Sequence, residues 1–444
     1  GDPAEVKALL QHWYEFKAVR TRQGWQALKD SCTAYAATKG KEYTIALNGA
    51  SNIGGASGAG YAVTDYAIGE FFEWGGLFPY DGALTARVKA FHSIGKRFVL
   101  WSPPTLTDIP LAQPTDLYPE PVQTNAVLHT AATMYASGGL PQLGYPSTGT
   151  YPAYFLAQTQ RAILNSVSPA GDIGVVMSQA QTLDDARGFT GLLDAVIDLN
   201  RACRVIWFKP DKLGVPDDLS QNDLTPFKVI FLPESFRLTN NQRAQLLTFV
   251  QNGGTVIAVR GNVEYAGWQD EKGATQGNAT WASLADKAVT TSSTYGGGRF
   301  ITIAHHINEP NGYPPPLYGQ AYTSWQHASD PDKRAVATAI RDTLSKWFTY
   351  ALPVNDVAGT GIPATMRIFR FQDTLVHSYV YQMLNDSVEI PSRAGIAVGP
   401  TAIHFAVSPS LHGQLMQVMF YSIDNPQGVM LGSAYGVDSV TGHV

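Results

Sequence analysis

The sequence predicts an α/β protein in three parts: a partial (β/α) barrel over residues 1–150, a second α/β domain over 151–355 and a small antiparallel β-sandwich over 356–444. Three observations predict it. Apolar strand-like runs at 173–178, 204–208, 228–233 and 255–260 alternate with helix-like stretches, the rhythm of βα units on a parallel sheet. The same rhythm occupies the first 150 residues, with polar and aromatic residues gathered after the strand ends. From Thr365 onwards strand-like runs follow one another without helices between them, which indicates antiparallel pairing.

Residues 4–40 carry Trp13, Phe16, Trp25, Leu28 and Tyr35 at roughly helical spacing, so a long helix opens the chain. Strands are expected at 43–48, 61–66, 97–101 and 140–143, with helices at 84–94 and 125–135 between them. These four strands are half of what a closed barrel contains. The chain therefore enters mid-barrel, either completed by a separate upstream polypeptide or left as a reduced, open barrel.

A helix at 152–168 bridges to the second domain, whose last apolar run is entered through Asn252-Gly253-Gly254. Residues 262–298 read as loop, ending in Gly296-Gly297-Gly298. A strand at 299–304 returns to the same sheet, and a helix follows at 332–347. The terminal strands are expected at 366–371, 374–382, 387–390, 402–407 and 414–421.

Composition bounds the partners. A net charge of −5 supplies no basic surface for nucleic acid. No apolar run approaches the ~20 residues that cross a bilayer. Gly1-Asp2-Pro3-Ala4-Glu5 has neither the basic nor the apolar part of a signal peptide. Charged residues are 15% of the chain, against roughly 25% in a typical domain, while 9 Trp and 21 Tyr are present. That balance suits a secreted or cell-surface protein that handles carbohydrate. Cys32 and Cys203 stand far apart and form no disulfide framework or zinc motif.

The second domain resembles a flavodoxin-like, class I glutamine-amidotransferase-like unit whose nucleophilic cysteine is missing, because the last strand runs into Arg260-Gly261-Asn262. Asp172-Ile173-Gly174-Val175-Val176-Met177-Ser178 and Thr248-Phe249-Val250-Gln251-Asn252-Gly253-Gly254 carry a wider resemblance, joined by Leu375-Val376-His377 and by the stretch from Ala132 to Gly139. On these residues the chain resembles family 42 β-galactosidases and related glycoside hydrolases. The resemblance implies a cysteine-less middle domain that serves oligomerisation and a preceding barrel that cleaves sugars. It also implies an acid/base Asn-Glu pair on the fourth barrel strand, a part with no counterpart here. The family's nucleophilic Glu ends the seventh strand, which here is Arg97-Phe98-Val99-Leu100 and closes on Trp101-Ser102.

Glycoside hydrolysis by this chain would use two carboxylates flanking the scissile bond. Asp65 and Glu70, at and beyond the end of the expected strand 61–66, are the candidates, with Gly69 giving the backbone freedom to turn Glu70 towards the cavity. The competing reading has Asp65 capping the next element and Glu70 pairing with Arg87 or Lys89. Asn48, Tyr66, Trp74 and Trp101 are candidates for binding sugar, by hydrogen bonds from the amide and by stacking on the rings. His305-His306 with Glu309 is a poor metal site, since adjacent strand residues point to opposite faces. Ser178 lacks a nucleophile elbow, and the glycines of 53–60 lack both dinucleotide and P-loop spacing. No cofactor is implied.

Two functions remain open. One is a glycoside hydrolase completed by an upstream chain or partner; the other is a glycosidase-derived protein that binds sugar or builds a surface assembly without catalysis. Both predict a homo-oligomer, since an exposed half-barrel leaves sheet edges to cover.

Overall fold

The computed structural model describes residues 3–48, 63–70, 88–92, 96–102, 137–143, 168–169, 173–178, 187–198, 203–208, 224–233, 238, 240–259, 278–285, 289–304, 335, 338–340, 342, 354–356, 366–373, 378–385, 403–405, 415–420 and 429–436. The chain is a mixed α/β fold with two parallel sheets and several antiparallel pairs.

Helix α1 (Pro3–Thr38) opens the chain. It ends where Gly40 takes a φ of 62°, a left-handed conformation that glycine adopts without a Cβ penalty. Near its C-terminal half, the Lys29 ammonium donates to the Val63 carbonyl at 2.9 Å and so ties the helix to the first sheet. That sheet has four parallel strands in chain order: β1 (Ala46–Asn48), β2 (Tyr66–Glu70), β3 (Arg97–Ser102) and β4 (Leu140–Leu143). Side chains alternate between its faces. Ala67 and Phe98 share the buried face, where Phe98 stacks on Phe91 of the helical stretch 88–92 at 5.3 Å between centroids. Ile68 and Val99, on the other parity, are half-buried.

Three of these strands lie close to where the sequence puts them. The fourth is a correction: the strand expected at 61–66 is β2, Tyr66–Glu70, and Gly69 lies inside it rather than in a turn.

The second sheet has the order β10-β11-β9-β8-β6-β7. Its strands are β6 (Ile173–Ser178), β7 (Cys203–Phe208), β8 (Val229–Leu232), β9 (Thr255–Val259), β10 (Thr291–Tyr295) and β11 (Gly298–Ile303). All its pairs are parallel except the β10–β11 hairpin. Every residue of β8 and β9 is buried, as expected of parallel strands covered on both faces. The cover includes α2 (Arg187–Asp198), α3 (Asn240–Gln251) and α4 (Ala279–Ala285). Trp281 of α4 meets Phe300 edge-on at 5.1 Å, a geometry worth about 1 kcal/mol beyond the area buried.

Helix α3 closes with Gly253 N–H on Val250 O and Gly254 N–H on Phe249 O, both 3.0 Å, with Gly253 at φ 101°. This is the Schellman pattern that Asn252-Gly253-Gly254 announces. The stretch 262–298 is not all loop: α4 and β10 lie within it, and Gly297 N–H donates to Gln251 O at 2.9 Å, seating the hairpin on the end of α3.

Towards the C-terminus every described pair is antiparallel. β13 (Met366–Asp373) pairs with β14 (Ser378–Asn385) and with β5 (Ser168–Pro169). β12 (Val354–Asp356) pairs with β15 (Ile403–Phe405), and β16 (Leu415–Phe420) with β17 (Val429–Gly436). Ser168, expected to end a helix, is a strand residue. The helices expected at 125–135 and through most of 152–168, and the strand at 387–390, lie outside the described residues. Among the described residues no helix is long and apolar enough to cross a membrane.

Candidate functional site

Parallel α/β sheets place ligands beyond the C-terminal ends of their strands. In the first sheet that edge carries one register row: Glu70 of β2 is level with Trp101 of β3, and Trp101 with Gln142 of β4. Neighbouring strands are about 4.8 Å apart, so the row spans about 10 Å, the scale of a sugar ring with its hydroxyls. Asn48, the last residue of β1, is level with Ile68, two positions before Glu70 and on the same strand parity. Thus Asn48, Glu70, Trp101 and Gln142 occupy one edge and one parity of the sheet.

Asp65 and Tyr66 do not join them. Because β2 begins at Tyr66, Asp65 precedes its first rung and Tyr66 is that rung, level with Ala46 and Arg97. Five residues at about 3.3 Å each put Asp65 some ~16 Å from Glu70 along the strand. A retaining pair stands about 5 Å apart and an inverting pair no more than about 9.5 Å. The pairing of Asp65 with Glu70 across one glycosidic bond is thereby corrected. Trp74 lies outside the described residues, as do His305, His306, Glu309 and the glycines of 53–60.

Asp65 has a structural occupation instead. Its Oδ1 accepts from Lys29 Nζ at 2.7 Å and its Oδ2 from the Ile45 N–H at 2.9 Å, while its own N–H donates to Ile45 O. Burial pushes this carboxyl up. The hydrogen bonds from Lys29 and Ile45 and the charges of Lys29 and Lys96 outweigh burial and hold it below its ordinary value. The carboxylate fastens α1 and the approach to β1 onto the start of β2. Close by, Tyr43 is held above its usual value, first by its hydrogen bond with Cys32.

The helical stretch 88–92 joins the two sheets. Lys89, buried, donates from Nζ to the Cys203 carbonyl at 3.1 Å. Burial pulls the Lys89 ammonium down and pushes the Cys203 thiol up. Cys203 begins β7, at the N-terminal edge of its sheet, and is buried. Ser178 ends β6; Arg260, Gly261 and Asn262 lie outside the described residues.

Gln142 is the residue that sequence reasoning passed over. Leu140-Pro141-Gln142-Leu143 was expected as a strand, and in any four-residue strand that ends a βα unit the last positions reach the ligand edge. That signal was present. What the sequence does not carry is the register that sets Gln142 level with Trp101 and Glu70.

No protein family matches the sequence, and no curated protein matches it. Among solved structures the chain is similar to α-L-fucosidase isoenzyme 2 from Paenibacillus thiaminolyticus, at 12% identity and a TM-score of 0.45, covering 78% of this chain and 59% of that one. It is similar to a GH42 β-galactosidase from G. stearothermophilus, at 12% identity and a TM-score of 0.44, covering 71% and 53%. A β-galactosidase from the haloarchaeon Halorubrum lacusprofundi follows at 13% identity and 0.46, covering 87% and 68%. The chain spans less than two thirds of the length of the first two.

Proposed function

We propose that this chain binds carbohydrate at the C-terminal edge of its first sheet. The observation that carries the reading is the register row of Glu70, Trp101 and Gln142. An indole offers an apolar plane to the C–H face of a sugar ring. A carboxylate and an amide beside it supply acceptors and donors for hydroxyls. One carboxylate, one indole and one amide suit recognition; hydrolysis in the usual manner takes two carboxylates. Asn48, one strand further out, extends the same edge.

The experiment is a titration with lactose, galactose and L-fucose, followed by tryptophan fluorescence and calorimetry. Saturable binding by the wild-type chain is expected, weakened about tenfold or more by Trp101→Ala, equivalent to about 1.4 kcal/mol. A wild-type chain that binds none of these sugars, or a variant that binds as well as wild type, removes the proposal.

A second reading is favoured by where Glu70 stands. Barrel enzymes draw catalytic residues from the C-terminal ends of their strands, and Glu70 is at such an end. Hydrolysis then requires a second carboxylate, supplied by an upstream chain that completes the barrel or by residues of this chain outside the described set. On that reading Glu70 is one of the two carboxylates, either the general acid/base or the nucleophile, and the added carboxylate takes the other role.

A further inference from the structure

Helix α1 has a packed side and an open one. One side packs onto the protein: Ala18 is fully buried, and Trp25 and Lys29 are half-buried. The other is open to solvent, with Val6 48%, Leu9 70%, Trp13 54% and Phe16 50% exposed, continued by Leu28 and Tyr35. Successive helical residues turn by about 100°, which confines these six to about a third of the circumference, centred about 140° away from the packed side. An apolar stripe of this length left open on a helix marks an interaction surface.

We infer that the first half of this stripe is a self-association surface, occupied by the antiparallel α1 of a second copy of the chain. The inference is independent of the carbohydrate reading. The spacing 6, 9, 13, 16 is the a-d-a-d pattern with which one helix meets another. Trp13 and Phe16 are already stacked, at 5.8 Å between centroids and 22° between planes, into one continuous apolar plate.

The pattern is also self-complementary. Reversing the helix about residue 11 sets Val6 against Phe16 and Leu9 against Trp13, an a-to-d′ match at every layer and an isologous two-fold contact. The next a position is Arg20, whose guanidinium lies 5.4 Å from the Phe16 ring centroid. In a parallel pair Arg20 would meet its own copy, a like-charge contact that the antiparallel arrangement avoids. The stripe faces away from the side of α1 that docks on the sheet, so a segment extending the sheet beyond β1 would not cover it. Two such segments bury on the order of 1,000 Å² in total, the lower edge of specific interfaces, so the dimer is a concentration-dependent one.

Analytical ultracentrifugation of the full chain, from low to high micromolar concentration, tests this. The wild type is expected to pass from monomer to dimer. Trp13→Glu, at an exposed position, is expected to stay monomeric with an unchanged thermal midpoint. Val6→Glu, in the layer that meets Phe16, is expected to weaken the dimer about tenfold or more. A chain monomeric at every concentration, or a dimer that survives Trp13→Glu, overturns the proposal. Val6→Cys combined with Phe16→Cys that forms no disulfide between copies overturns the antiparallel register.

Discussion

His92 is held neutral by the fold. It is half-buried, its Nδ1 has no hydrogen-bond partner among the described residues, and its pKa falls from 6.5 to about 4, first through desolvation and then through the charges of Lys89 and Arg97. The unfolded chain takes up a proton at this site well before the folded one does. The stability that neutral His92 confers is therefore complete above pH 6.5 and is lost as pH falls towards 4. A shift of this size corresponds to about 3 kcal/mol. Urea unfolding at pH 7 and pH 4.5 should show this loss in the wild type and a shallower one in His92→Leu; identical slopes would show that His92 is not responsible. Asp65 is the complementary case. Its place in the sequence, among Tyr and Val, marked a strand terminus correctly but not which terminus. Lys29, 36 positions away, decides that by pairing with it, and such distant pairing leaves no trace in local spacing.

Elements announced by local chemistry were legible. β8 and β9 are buried runs, apolar but for Thr255, because both their faces are covered, and the glycines after α3 are placed where a left-handed turn is required. β10, Thr-Ser-Ser-Thr-Tyr, was not legible: it is a polar edge strand, alternately half-buried and exposed, with no apolar run to reveal it. β2 was displaced because Tyr61-Ala62-Val63 and Tyr66-Ala67-Ile68 are equally strand-like on either side of Thr64-Asp65, so nothing local says which of them carries the ladder. α1 was legible as a helix from the spacing of Trp13, Phe16, Trp25, Leu28 and Tyr35, yet all of these but Trp25 are exposed; periodicity finds a stripe but does not say what covers it. The glycines also carry a prediction. A Cβ at Gly298 would meet the carbonyl oxygens of Gly254 and Val250, backbone atoms that cannot turn aside. Gly298→Ala should therefore cost about 3 kcal/mol, the upper range of overpacking. Gly253→Ala, in open space but at φ 101°, should cost about 1 kcal/mol. Denaturant midpoints in the reverse order would refute this account of the α3–hairpin junction.

At the scale of the whole molecule, two parallel sheets followed by antiparallel pairs follow from the sequence rhythm alone, because alternation of helix and strand is a chain-wide pattern. Of the residues singled out in the sequence, Glu70, Trp101 and Asn48 stand at the C-terminal ends of their strands, whereas Asp65 and Tyr66 stand at the start of β2, because register is not written in local spacing. The difference matters for catalysis. With one carboxylate in the register row, the chain by itself should hydrolyse a nitrophenyl β-galactoside no faster than buffer does, and Glu70→Gln should change only sugar affinity. Should an upstream polypeptide complete the barrel, adding it back should restore turnover, and Glu70→Gln should then lower kcat by about a hundredfold or more, the usual share of general acid–base catalysis. Turnover by the isolated chain that Glu70→Gln abolishes would place the second carboxylate within this chain. Turnover that survives the substitution would remove Glu70 from the reaction altogether, and with it the assignment of this sheet edge as the place where chemistry occurs.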